Sequence, residues 1–77
     1  MTLARYRNDL RLRHALERTA EPGADLTDVA LDSGFSSHSH FTAAFRTAFG
    51  ETPSAFRRAA SGERLAAARQ LLPLPAV

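Results

Sequence analysis

Between Ser36 and Thr47 the sequence gathers Ser36, Ser37, His38, Ser39, His40, Thr42, Arg46 and Thr47. Hydroxyls beside imidazoles are the raw material of nucleophilic catalysis, and an H-x-H pair is the raw material of a metal site. Neither chemistry is assembled by this spacing. Two residues apart on a helix, His38 and His40 point about 200° apart and do not converge on one ion. No nucleophile–base–acid constellation accompanies the serines, and no Gly-rich elbow presents them. The chain has no cysteine, which removes thiolate ligands and disulfides. The sequence therefore predicts no enzyme, no metal and no cofactor. What remains is a face of short polar side chains.

That face belongs to an amphipathic helix. Phe41, Ala44, Phe45, Ala48 and Phe49 recur at i, i+3, i+4, i+7 and i+8, an apolar stripe at the helical period. The opposite side carries Ser39, Thr42, Ala43, Arg46 and Thr47. A helix that buries one stripe and presents small hydrogen-bonding residues on the other suits the ~12 Å major groove of DNA. On this reading Ser36 is the N-cap, the helix runs from Ser37 to about Phe49, and Gly50 ends it. Ser37, His38, Ser39, Thr42 and Ala43 are the candidate base contacts, because the N-terminal end of such a helix enters the groove first. Arg46, Thr47, Arg57 and Arg58 are the candidate phosphate contacts, with Ser36 and Thr52 near helix N-termini that favour anions.

The rest of the chain must position that helix. Residues 3–20 contain neither Gly nor Pro and read as one helix with two apolar faces. Leu3, Tyr6 and Leu10 line one; Leu12, Ala15, Leu16 and Thr19 line the other. The second face can pack on the helices that follow. The first has only the C-terminal segment as a partner within the chain, which leaves two readings: a helix sunk in a small bundle, or a face meant for a further subdomain or a second chain. Glu21-Pro22-Gly23-Ala24 is a turn. Asp25 caps a helix from Leu26 to Ser33 that buries Leu26, Val29 and Ala30, with Asp28 in a capping-box-like position. Gly34 makes a left-handed turn and Phe35 plugs it. Thr52-Pro53 starts a short helix to Ala60 with Phe56 inward and Arg57 and Arg58 outward. Ser61-Gly62 breaks it. Residues 63–72 form a last helix burying Leu65, Ala68 and Leu71 or Leu72, and Pro73 and Pro75 stop it ahead of a frayed tail. The fold class is all-α: four or five helices with one helix-turn-helix.

Seventy-seven residues make one domain at most, with a modest core. The formal net charge is only +2, but residues 1–20 and 35–77 each hold five Arg, whereas residues 21–34 hold four acids and no base. All ten basic residues are Arg, a side chain suited to bidentate contacts with phosphate and guanine. No apolar run approaches the ~20 residues of a membrane span, and the N-terminus has no charged-then-apolar signal pattern. No membrane partner is expected. The expected location is the cytoplasm, on the bacterial nucleoid when bound to DNA.

Ala30, Gly34-Phe35-Ser36, Ser39, His40-Phe41, Phe45-Arg46, Phe49-Gly50, Thr52-Pro53 and Phe56-Arg57 together resemble the second helix-turn-helix of an AraC/XylS-type DNA-binding domain. Tyr6, Arg11-Leu12 and Ala15 resemble the start of the long helix that joins that family's two helix-turn-helix units. The resemblance covers roughly residues 2–58. It implies a homeodomain-like helical domain over residues 1–60, with a linker-type helix 3–20, the helix-turn-helix 25–49 and a short helix 53–60; residues 61–77 would be a C-terminal helix and tail. It implies a sequence-specific transcription regulator whose partner is double-stranded DNA.

Three departures qualify it. The family's earlier helix-turn-helix is not in this sequence, and Leu3, Tyr6 and Leu10 would be the face that touches it. No ligand-sensing domain is present, so effector control is not carried over. Family members often place Arg where this chain has Ala43, which can touch a thymine methyl but donates no hydrogen bond; one bidentate base contact, about 1–3 kcal/mol of discrimination, goes with it. Useful specificity would then need a homo-oligomer, paired through Leu3, Tyr6 and Leu10 or through helix 63–72, or else a partner regulator. The alternative reading is a truncated interaction module that pairs with another regulator and has lost DNA reading.

Overall fold

Each helix begins at a side chain that accepts from the backbone N–H of the third helical residue. The computed structural model describes residues 2–72. Its elements are α1 (Leu3–Ala20), α2 (Leu26–Asp32), α3 (His38–Phe49), α4 (Pro53–Arg58) and α5 (Gly62–Gln70). Thr2, Asp25, Ser37, Thr52 and Ser61 are their N-caps, accepting from the amides of Arg5, Asp28, His40, Ala55 and Arg64. Such a cap satisfies a donor that has no intrahelical partner, a contribution of about 1 kcal/mol. The fold is all-α, as the sequence predicts.

The boundaries differ from the sequence reading in four places. The helix expected from Ser37 starts one residue later, because Ser37, not Ser36, is the cap. Ser37 holds extended backbone (φ −161°, ψ 164°) and its hydroxyl accepts from the His40 amide at 3.1 Å. Ser36 is taken up elsewhere: its hydroxyl lies 3.2 Å from His40 Nδ1. α2 stops at Asp32, with Ser33 as the C-cap. α4 stops at Arg58 instead of Ala60, since Ala59 leaves helical geometry at φ −111°. α5 starts at Gly62 and ends at Gln70, so the expected break at Ser61 is at once the next helix's cap. Beyond it Leu72 tucks into the core and Leu71 stays exposed. The expected stop at Pro73 and Pro75 lies outside the described residues.

Packing follows the two stripes of α1. Leu12, Ala15, Leu16 and Thr19 are buried, and the Thr19 hydroxyl donates to the Ala15 carbonyl at 2.9 Å, so no polar atom is stranded there. They meet Val29 and Ala30 of α2, Phe41 and Phe45 of α3, Phe56 of α4, and Ala68 and Leu72. α5 docks on α1 further round, where Arg13 donates to the Leu72 carbonyl at 3.3 Å and Arg69 pairs with Glu17. Arg13 and Glu17 continue the Leu3–Tyr6–Leu10 stripe at the helical period, so α5 covers the continuation of that stripe. At its beginning Leu3 remains 67% exposed, with Tyr6 and Leu10 half-buried.

The turn between α2 and α3 is set by backbone geometry. Gly34 holds φ +95°, and a Cβ there would lie 3.3 Å from Arg11 Nε. Behind it the Phe35 amide donates to the Ala30 carbonyl at 3.0 Å, and the Ala30 side chain is fully buried, where a small residue fits. Gly34→Ala is expected to lower unfolding stability by about 1–3 kcal/mol, through a left-handed backbone and a crowded guanidinium together. Gly62→Ala is the control. Nothing lies within 4 Å of the added Cβ there. Its expected effect is a gain of about 0.4–1 kcal/mol. Urea unfolding followed by circular dichroism checks both signs.

Candidate nucleic-acid interface

The front of α3 is positioned by its back. Phe41 and Phe45 are fully buried, and Ala44, Ala48 and Phe49 flank them half-buried. The rings form a continuous run: Phe35 to Phe41 at 5.3 Å between centroids, Phe41 to Phe45 at 5.7 Å, and Phe45 to both Phe49 at 4.5 Å and Phe56 at 5.5 Å. Three of these four contacts are edge-on, the arrangement favoured by the ring quadrupole. α3 is thereby fixed to the α2–α3 turn at one end and to α4 at the other. Gly50, at φ +79°, closes it, its amide donating to the Arg46 carbonyl at 2.8 Å.

Six of the eleven candidate residues share this front. His38, Ser39, Thr42, Ala43, Arg46 and Thr47 line one hollow of about 630 Å³. His38, Ser39, Ala43, Arg46 and Thr47 are exposed, and Thr42 is half-buried. The side chains of His38, Ser39 and Arg46 have no hydrogen bond or ion pair to another described residue. Ser36 and Ser37 sit at the N-terminal lip of the hollow, each engaged with His40. His40 itself packs at the helix edge, its ring perpendicular to Phe35 at 5.1 Å.

The remaining three lie on or before α4. Thr52 is committed as the cap, accepting from the Ala55 amide at 3.2 Å. Arg58 is exposed at the end of α4. Arg57, expected to point outward, instead turns back half-buried and donates to the Ala24 carbonyl in the turn before α2. The reason is tertiary: α4 packs on α1, and this brings Arg57 to the acceptor that the α1–α2 turn leaves open. The same accounting applies to the other cations. Arg11 lies over the Phe35 ring, and Arg18, Arg64 and Arg69 pair with Asp32, Glu51 and Glu17. Arg46 and Arg58 are the candidate phosphate ligands not drawn into such contacts among the described residues.

Sequence reasoning missed a second concavity on the other flank of α3. Arg5, Asn8 and Asp9 of α1 face His40, Ala43, Ala44, Thr47 and Ala48 across about 340 Å³. Asp9 is 8% exposed although charged. The signal was available: Asp9 precedes Leu12, Leu16 and Thr19 on the same helical stripe, which places it toward the core side.

Comparison with known proteins gives the following. A helix-turn-helix domain family model matches residues 1–59. The chain is 40% identical over 60 residues to the HTH-type transcriptional activator RhaS of Pectobacterium carotovorum, covering 78% of this chain and 22% of that protein. It is 39% identical over 50 residues to the HTH-type transcriptional regulator GlxA of Rhizobium meliloti, covering 65% and 15%. It is 37% identical over 62 residues to RhaS of Escherichia coli O157:H7, covering 80% and 22%. The chain thus spans less than a quarter of the length of these relatives. No solved structure matches it. Among the described residues no group of His, Cys, Asp and Glu could hold a metal ion, and no helix is long and apolar enough to cross a membrane.

The capping geometry generates one expected outcome. Ser37→Ala removes the acceptor of the His40 amide and is expected to cost about 1 kcal/mol, whereas Ser36→Ala leaves the cap intact and stays within about 0.5 kcal/mol of the parent. Equal losses in urea unfolding would contradict the assignment of Ser37 as the cap.

Proposed function

The chain belongs to the AraC-type helix-turn-helix family, and we propose that it is the sequence-reading DNA-binding part of a transcription regulator, with α3 inserted into the major groove. One observation carries this reading. The outward face of α3 holds His38, Ser39 and Arg46 without internal partners, on a helix whose back is locked by Phe41 and Phe45. Polar groups left open on a rigid helix are what base-edge and phosphate recognition requires. The relatives, a transcriptional activator and a transcriptional regulator, agree with it.

His38, Ser39, Thr42 and Ala43 face the bases, with Ser37 at the leading end. Arg46 and Arg58 take phosphates; Ser36, Thr47 and Thr52 lie at the margins, and Arg57 holds the α1–α2 turn against α4. Residues 1–60 form the reading unit, and α5 buttresses α1. One unit whose α3 and α4 carry two open guanidiniums, Arg46 and Arg58, binds weakly, with nonspecific dissociation constants of order 10⁻⁴–10⁻⁶ M at physiological salt. Occupation of a specific site then requires a second unit, and the exposed beginning of the Leu3–Tyr6–Leu10 stripe is the surface through which a second copy or a partner regulator would join.

Three measurements test this. Selection from a random duplex pool is expected to enrich a motif, and no enrichment at low salt from folded protein would favour a pure interaction module. Arg46→Ala and Arg58→Ala should each reduce the magnitude of the slope of log K against log salt by about 0.9, while Arg57→Ala should leave the slope unchanged and lower stability by about 1 kcal/mol. Light scattering at high micromolar concentration should give a mass above that of the monomer, with Leu3→Glu returning it to monomer; a strictly monomeric parent contradicts self-association.

A further inference from the structure

The hollow on α3 is polar at its ends and apolar at its centre. Its six lining residues are His38, Ser39, Thr42, Ala43, Arg46 and Thr47. At the centre Ala43 is exposed and offers only a methyl. Thr42 is half-buried, and its hydroxyl oxygen is closed to solvent and has no hydrogen-bond partner among the described residues. The part of Thr42 that lines the hollow is therefore its methyl group. Thr47 donates its hydroxyl to the Ala43 carbonyl at 2.9 Å, so its proton is committed to its own helix. Neither of the two central side chains, Thr42 and Ala43, presents a free donor, and Thr47 at the C-terminal margin has committed its own. Donors flank them: His38 and Ser39 on the N-terminal side, the Arg46 guanidinium on the C-terminal side.

We infer that the centre of this hollow reads thymine through its 5-methyl group, not through a hydrogen bond. The inference rests on the DNA-binding reading above and names what that surface selects. In the major groove every base-pair edge presents donors and acceptors, and the one apolar mark is the thymine methyl. Opposite the methyl groups of Thr42 and Ala43, a guanine or cytosine edge would lose water and gain no partner. A thymine edge buries its methyl against theirs. The residue types alone suggest the reverse for Thr42 and Thr47, since a threonine on a groove face normally offers its hydroxyl. It is the burial of the Thr42 hydroxyl that turns the centre apolar, and the back-bonding of Thr47 that leaves no free hydroxyl proton beside it.

The test uses the duplex most enriched from a random pool, with each thymine replaced singly by deoxyuridine, which removes only the methyl. Affinities are read by fluorescence anisotropy at one fixed salt concentration. One or two adjacent positions should weaken about fourfold, the equivalent of one buried methyl, and the others should not change. Thr42→Val keeps the methyl and should retain both the affinity and the deoxyuridine effect. Thr42→Ser keeps the hydroxyl and should lose about fourfold in affinity, with a smaller deoxyuridine effect. Ala43→Gly should act like Thr42→Ser. Binding that is indifferent to every deoxyuridine, or that survives Thr42→Ser and fails with Thr42→Val, overturns methyl reading and leaves DNA binding standing. Folded protein, verified by circular dichroism, that binds no duplex at low salt overturns the DNA-binding reading and this inference with it.

Discussion

The run of aromatic rings from Phe35 through Phe41 and Phe45 to Phe56 is the contact on which the rest of the structure depends. A twelve-residue helix such as α3 is marginal on its own in water. Burying Phe41 and Phe45 completely supplies about 1.5–3 kcal/mol each, above the ~1 kcal/mol typical of a cap and the ~0–1 kcal/mol of a surface pair. Because the rings are in sequence on both sides of α3, the same contact fixes its ends against the α2–α3 turn and α4. The outward face needs no side chain for its own stability, and can be furnished for recognition.

Charge is used differently. Ten arginines give a pI near 10.4, yet most of the guanidinium groups described are engaged within the fold. Arg57 ties α4 to the α1–α2 turn, Arg69 ties α5 to α1, and Arg64 pairs with Glu51 while lying over the Phe56 ring at 5.5 Å. In a domain with a small core, arginine serves as a long connector whose stem packs and whose head finds a carbonyl or carboxylate. Several of these pairs are solvent-exposed and contribute little to stability individually. Their consequence is that fewer guanidiniums stay open than the sequence offers: among the described residues Arg5 and Arg7 on α1, Arg46 on α3 and Arg58 on α4.

The two apolar stripes of α1 divide its length between tasks. Leu12, Ala15, Leu16 and Thr19 hold the helices that present α3. The other stripe is occupied by α5 at Arg13 and Glu17, and leaves Leu3 open. The helix therefore acts as a spine with one finished side and one side finished only over its second half.

The sequence by itself determined where the helices are, which side of each is buried, and most of the residues that start and stop them. Asp25, Thr52, Gly34 and Gly50 act where their types predict, because caps, left-handed turns and the 3.6-residue period depend only on atoms within a turn of each residue. Only the tertiary structure decided how individual polar side chains are used. Ser36 and Ser37 are equivalent as letters, and the choice between them follows from the position of His40 above Phe35. Arg57 turns inward because an unpaired carbonyl 33 residues earlier is brought to it. Thr42 holds its hydroxyl closed to solvent and unpartnered among the described residues, a state its residue type does not predict. A side chain's identity limits what bonds it can make; which bond it makes is set by acceptors and walls that arrive from distant parts of the chain.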